Sequence, residues 1–354
     1  MHSDHYAPTT TLPGLLQRGR GQGALIAAED RSSVADLVYG CVRREWRWDR
    51  QVDSRHLYLA RLIRDSELPL GPVIELLAGD EDTRRRALDV LEPLALGGSA
   101  EARAALPRDT PEECGPIARH PAKRSDPHPD LDNAGLLALL RDPEAPEDAK
   151  ATALRALSLR PPEPALLPLV PRLGAADGTR PLPSLGRVVE GLAEQAVPAA
   201  REWAASERPW LADLGSGALA AHGDERDIPA LVAALEQHWV ERTWCGPDVL
   251  ARGLARFGPK AAEAVSLLRR FWLATPHSYE RPAYLEALAA IGAPGLAEAY
   301  VESLWDCEPD ARLLAVGHAP GRPDALRRIA ELRDDPIEDP GVREAAATRL
   351  ARHA

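Results

Sequence analysis

Apolar side chains recur along this chain with the spacing of a helix face. In Asp227-Ile-Pro-Ala-Leu-Val-Ala-Ala-Leu235 and onward, Ile228, Leu231, Val232, Leu235 and Trp239 fall at offsets 0, 3, 4, 7 and 11. Ala261, Val265, Leu268 and Trp272 repeat the series at 0, 4, 7 and 11. Each set lines one side of a helix with 3.6 residues per turn. Helices of a second kind end alike: Ala218-Leu-Ala-Ala-His-Gly223, Gly253-Leu-Ala-Arg-Phe-Gly258 and Ala287-Leu-Ala-Ala-Ile-Gly292, separated by 35 and then 34 residues. A fixed period of that size predicts stacked helix pairs, since one pair alone cannot bury its apolar face.

Start signals repeat with the same rhythm. Asp142-Pro-Glu-Ala-Pro-Glu-Asp-Ala-Lys150, Asp306-Cys-Glu-Pro-Asp-Ala-Arg312 and Asp335-Pro-Ile-Glu-Asp-Pro-Gly-Val-Arg343 each put carboxylates and proline where a helix opens. There they offset the unpaired amides and sacrifice no internal hydrogen bond. The predicted pairs are 133–159, 163–195, 197–222, 226–257, 259–291, 293–317 and 322–352. Upstream the period weakens, with helices expected at 13–28, 32–44, 53–64 and 70–78 and another after Asp80. Six prolines between Pro107 and Asp132 exclude a helix there. Three regions follow: a helical block with divergent repeats at 1–106, a Pro-rich linker or flap at 107–132, and a repeat array at 133–354.

Composition sharpens the class. Hydrophobic residues make up 45% of the chain but aromatics only 5%, with two Phe and one Met, which suits helices filled by Ala and Leu. The fold class is all-α. A net charge of −11 argues against a protein that coats nucleic acid along its length. Cys41, Cys114, Cys245 and Cys307 form no C-x-x-C pair, so reduced thiols are expected, with no metal and no cofactor. The chain offers neither a leader segment nor a stretch long enough to span a membrane. A soluble, cytoplasmic protein with no membrane partner is expected.

These phrases resemble the HEAT-repeat family, and within it the short bacterial units first described in phycobilin lyases. Their pattern, A-L-x-x-x-G-D-x-x-x-x-P-x-L followed by D-x-x-x-x-V-R-x-x-A, is matched best from Gly217 to Leu235. The resemblance covers roughly 133–352 and implies a right-handed α-solenoid of HEAT-like helix pairs. It also implies ladders of Asp and Arg between units, so that Asp306 with Arg312 and Asp335 with Arg343 read as structural.

Two clusters carry candidate chemistry. Glu207-Arg-Pro-Trp210, Glu241-Arg-Thr-Trp244 and Glu280-Arg-Pro-Ala-Tyr284 each stand between the helices of a pair, with Trp203, Trp239, Trp272 and Trp305 near the preceding helix ends. In register, Arg208, Trp210, Arg242, Trp244, Arg281, Tyr284, Trp239, Trp272 and Trp305 make a partner-binding ridge, because Trp, Tyr and Arg are the usual anchors of protein interfaces. The other reading makes the indoles fillers between Ala-rich helices. The second cluster, Arg43, Arg44, Trp46, Arg47, Trp48, Arg50 and Arg55, lies in a segment from Val42 to Arg64 with seven Arg against three acids. Guanidinium forks and indole faces suit phosphates and stacked bases. A salt-bridged turn sealing the end of the array is the alternative.

No nucleophile elbow, phosphate loop or dinucleotide fingerprint is present, and Gly19-Arg-Gly-Gln-Gly23 follows a helix rather than a strand. His120, Asp126, His128, Asp130 and Asp132 match no established metal site. The expected function is a non-enzymatic scaffold or adaptor with no catalytic residues, binding a protein or peptide along its concave face. Nucleic-acid binding through the Arg/Trp segment, in the manner of HEAT-like DNA glycosylases, is the alternative. A small-molecule partner stays open.

Overall fold

The protein, seen in a computed structural model, is described over residues 6–29, 31–107 and 125–352. These residues are helical and contain no strand; one isolated bridge joins Gly174 and Pro181. Neighbouring helices pack pairwise along the chain. The described residues fall into two compact units, one from 1–110 together with 265–354 and the other from 111–264. No helix among the described residues is long and apolar enough to cross a membrane.

In the 111–264 unit the pairs are Asn133–Arg141 with Glu147–Leu157, Val197–Ala204 with Pro209–His222, and Ile228–Glu241 with Pro247–Ala255, while Pro164–Arg172 packs on Asn133–Arg141 and Leu185–Gly191 on Glu147–Leu157. Asp132 opens the first by accepting the Gly135 amide at 2.8 Å. Pro164–Arg172 is a 3₁₀ helix because Pro168 and Pro171 inside it have no amide to donate. Gly253 sits where a Cβ would stand 2.5 Å from the Ala220 Cβ, so the repeated small residue lets two helices meet. Of the Pro-rich segment, residues 108–124 lie outside the described residues. Beyond them, Arg160 binds the Asp126 carboxylate and the carbonyls of His128 and Leu131 at 2.7–2.8 Å.

The other unit joins chain regions that the period does not relate. Helices Leu12–Gln17, Gly21–Glu29, Arg31–Arg43, Arg55–Asp65, Glu81–Leu96 and Ala100–Ala105 share it with Val265–Ala274, Arg281–Ile291, Leu296–Ser303, Pro309–His318, Pro323–Asp334 and Pro340–Ala351. Leu16, Ala27, Val38, Tyr58, Ile63, Val73, Leu91 and Cys307 belong to one apolar core. Each fully buried Leu contributes about 1.5–3 kcal/mol. The helix expected over 13–28 breaks at residues 18–20, where Gly19 has φ +65° and a Cβ would lie 2.5 Å from Cys307 Sγ. At Gly21 a Cβ would strike the Glu302 carbonyl. The Gly-Arg-Gly-Gln-Gly stretch is thus the place where the N-terminal chain meets residues 302–307.

Buried ion pairs fix this contact. Arg281, 1% exposed, donates from Nε and Nη2 to the Asp306 carboxylate at 2.9 and 2.8 Å and from Nη1 to the Arg18 carbonyl at 2.9 Å. Arg312 pairs with Glu338 and binds the carbonyls of Asp306 and Cys307. Ion pairs thus link successive helix pairs, but with other partners than the resemblance implied: Asp306 takes Arg281, and Arg312 takes Glu338. Asp335 pairs with Arg61 and Arg64 instead of Arg343, because Arg55–Asp65 lies against it.

Two outcomes follow from these pairs. Arg281→Ala strands the Asp306 carboxylate in the interior and is expected to cost about 3–5 kcal/mol in urea unfolding; a loss below about 1 kcal/mol contradicts the role assigned here. For Asp335, burial pushes the carboxyl pKa up, but the Arg64 hydrogen bonds and the charges of Arg64 and Arg61 outweigh it and hold the value at about 2, against the usual 3.8. The stabilisation is complete above the usual value and fades as pH falls through the folded one. Acid titration of stability is expected to show about 2 kcal/mol lost between about pH 4 and 2, a slope that Asp335→Asn removes.

Candidate functional site

The residues of the expected ridge divide between the two units and differ in exposure. Arg208 and Arg242 are exposed, each stacked on an indole near its own turn: Arg208 lies 5.6 Å from the Trp210 ring and Arg242 4.7 Å from Trp239. Trp210 and Trp244 are buried, and Trp239 is half-buried with its edge against Trp244. In the other unit Arg281 and Tyr284 are enclosed, Tyr284 donating its hydroxyl to Glu280 at 2.8 Å. Trp272 is buried beneath the Arg20 guanidinium, and Trp305 is half-buried under Arg328. Most of these aromatics fill space between helices.

The Arg/Trp segment is a folded turn between Arg31–Arg43 and Arg55–Asp65, and its positive charge is largely met from within. Arg47 forks onto Glu45 at 2.7 Å and Asp89 at 2.6 Å, and Arg50 reaches the same two carboxylates at 3.3 and 3.1 Å. Arg55 is buried against Asp53 and also binds the Tyr6 hydroxyl and the carbonyls of Gln17 and Pro276. Arg43 and Arg44 stay exposed, with Arg44 stacked 4.6 Å from Trp46. Trp48, 38% exposed, covers the buried His277 ring at 4.3 Å.

Two carboxyls beneath this turn have opposed acidities. Burial raises both, yet the Arg55 charge and hydrogen bonds bring Asp53 below its ordinary value, while the Asp53 charge drives Glu308 further up. Such a split marks acid–base pairs in active sites. Here the two are 1% and 3% exposed, closed to any substrate, and Glu308 accepts the Ser54 amide at 3.1 Å. They act as part of the lock that holds residues 53–55 against 276–308.

An open groove of about 280 Å³ lies in the 111–264 unit. Val197–Ala204, Pro209–His222 and Ile228–Glu241 form its walls. Their facing positions are Ala204, Ala212, Ala230, Ala233 and Ala234, whose small side chains leave the trough between the helices unfilled. One end is polar, with Asp213, His238, Glu241 and Thr243. His238 Nδ1 is 2.9 Å from Thr243 Oγ1, and Nε2 is 3.7 Å from Asp213 Oδ1. Burial and the Glu241 charge raise the Asp213 pKa, against the opposing pull of His238. Ser216 lines the same groove, but both histidine nitrogens face other groups, so no base activates its hydroxyl. At the opposite side Arg201 is held by Asp224 and Asp227. The uncompensated charge of the groove is acidic.

Among the described residues no group of three or more His, Cys, Asp or Glu is arranged to hold a metal ion, and Cys41, Cys245 and Cys307 form no disulfide. No family model, curated protein or solved structure matches the chain.

Sequence reasoning passed over Asp213, His238 and the alanine trough, since Ala at those positions reads as ordinary helix filler. The usable signal was the run Ala230, Ala233, Ala234 on a helix whose other face carries Leu231 and Leu235. For Asp213 the sign of the linkage is the reverse of that at Asp335. A raised carboxyl pKa means that ionisation works against the fold above that pKa, and the penalty disappears as pH falls through it. Asp213→Asn is therefore expected to leave the thermal midpoint unchanged or higher at neutral pH, within about 0.5 kcal/mol; a clear drop makes Asp213 a structural brace.

Proposed function

We propose that the protein is a non-enzymatic scaffold of HEAT-like helix pairs that binds a protein partner, taking a peptide segment of it into the alanine-walled groove. The observation that carries this reading is the groove itself: an open trough of about 280 Å³ with small apolar walls and an acidic end formed by Asp213 and Glu241. Helix pairs with alanine facing outward invite the apolar side chains of a helical or extended segment. The acidic end favours a segment with Lys or Arg beside those side chains. Arg242 stacked on Trp239 stands in the turn just after the groove's third helix and supplies a rigid rim.

An enzymatic reading finds less support. The nucleophile-bearing and histidine groups of the groove are not coupled, and the acid–base pair Asp53 and Glu308 is sealed. Nucleic-acid binding is likewise weakened, because Arg47, Arg50 and Arg55 are matched by Glu45, Asp89 and Asp53.

The test is affinity capture from source cells with quantitative mass spectrometry, followed by a binding titration with the recovered partner. Ala233→Trp fills the trough at an exposed position, and Asp213→Lys reverses the charge of its end. Each is expected to weaken binding about tenfold or more, which is 1.4 kcal/mol per tenfold, with an unchanged circular dichroism spectrum. Full retention of the same partner by both variants overturns the groove as the binding site.

A further inference from the structure

A second open groove, of about 300 Å³, lies in the other unit between the helices Gly21–Glu29, Val265–Ala274, Arg281–Ile291 and Leu296–Ser303. Leu25, Trp272, Leu288, Leu296 and Val301 line it and give it an apolar wall. The aromatic part of that wall is fixed in place. The Arg20 guanidinium stacks on Trp272 at 4.6 Å and is itself held by Glu302 at 2.7 Å and by the Leu273 carbonyl at 3.0 Å. A wall fixed before binding loses little freedom when an occupant arrives.

Charge narrows the choice of occupant. The lining includes three charged side chains, Arg269, Glu298 and Glu302. Glu302 is met by Arg20, and Glu298 by Arg322 at 2.9 Å. Arg269 meets no carboxylate among the described residues; it is half-buried and donates from Nη2 to the Pro294 carbonyl. Gly295 stands beside it with φ +74°, where a Cβ would lie 3.7 Å from Nη2, so glycine keeps a side chain of its own off that edge. A half-buried guanidinium with N–H groups to spare favours a carboxylate, which it can take by two parallel hydrogen bonds. The groove has twice the roughly 150 Å³ that holds a benzene, which leaves room for a body of about ten carbons beside the carboxylate.

We propose that this groove binds a small free carboxylic acid with an apolar body, the carboxylate on Arg269 and the body against Trp272, Leu296 and Val301. The uncompensated charge here is positive, the reverse of that in the alanine groove, so the two select different occupants. They share no residue, and the carboxylate site stands whether or not the alanine groove takes a peptide.

The experiment titrates the ¹⁵N-labelled full chain with 2-naphthylacetate at constant pH and ionic strength and follows the Trp272 indole resonance, identified by its loss in Trp272→Phe. A saturable shift is expected. The uncharged 2-naphthylacetamide, with the same body, is expected to bind about tenfold more weakly, as loss of a charge-assisted hydrogen bond does. Arg269→Met is expected to weaken the acid about tenfold and leave the amide unchanged, a pattern that a folding defect does not give. Ala299→Trp, which fills the groove, is expected to remove both shifts, whereas Arg270→Met, exposed and outside the lining, changes neither. Equal affinity for acid and amide overturns the carboxylate assignment, and equal weakening in Arg270→Met overturns Arg269 as its partner. An unmoved indole at about ten millimolar acid, or full binding by Ala299→Trp, overturns the groove as the site. Tighter binding of a tripeptide ending in a free Phe carboxylate overturns the free acid in favour of a chain terminus.

Discussion

A guanidinium taken out of water must meet an acceptor with nearly every N–H it has, and Arg281 shows what that demand does to a chain. Its fork closes on Asp306 one helix pair further on, and its remaining donors reach the carbonyls of Arg18 and Gly19. One side chain therefore joins a repeat to its successor and both to the N-terminal segment. Arg55 does the same from the other direction, taking Asp53 beside it and the carbonyls of Gln17 and Pro276. Because half-satisfied buried charges are so costly, these contacts admit one arrangement of the 1–110 and 265–354 regions, and the apolar core around Leu16, Ile63, Leu91 and Cys307 closes within it.

That constraint also bears on where side chains are left unmatched. Where arginine and carboxylate are matched in the interior, nothing chemical is left over, and even the divided acidities of Asp53 and Glu308 serve the joint. Incomplete matching is found instead elsewhere. In the 111–264 unit the mismatch is one of volume, alanines facing one another across a trough. Under the Arg/Trp turn it is one of hydrogen bonding, with the Trp46 and Arg86 donors left over after Glu45 and Asp89 have been taken by Arg47 and Arg50.

The same cluster shows how a composition signal is altered by folding. Seven arginines within a short segment suggest a surface for polyanions, yet three of those counted as candidates sit against carboxylates from as far away as Asp89. The turn residues behaved likewise. Tyr284 and Arg281 have the composition of an interface and the burial of a core, while the equivalent Arg208 and Arg242 are exposed. Equivalent sequence positions acquire different roles because what covers them comes from elsewhere in the chain.

Local order was legible in the residues themselves. Helix pairs, their proline and aspartate starts and the glycine ends at Gly223 and Gly292 follow from periodicity and capping, which act over a few residues and leave a direct trace in the sequence. Tertiary structure alone decided which arginine meets which carboxylate, that Gly19 and Gly21 are glycine to admit Cys307 and Glu302, and that residues 12–65 pack with 265–338. It also left the alanine trough open. Those outcomes depend on groups brought together over hundreds of residues, and no short-range pattern encodes such an encounter.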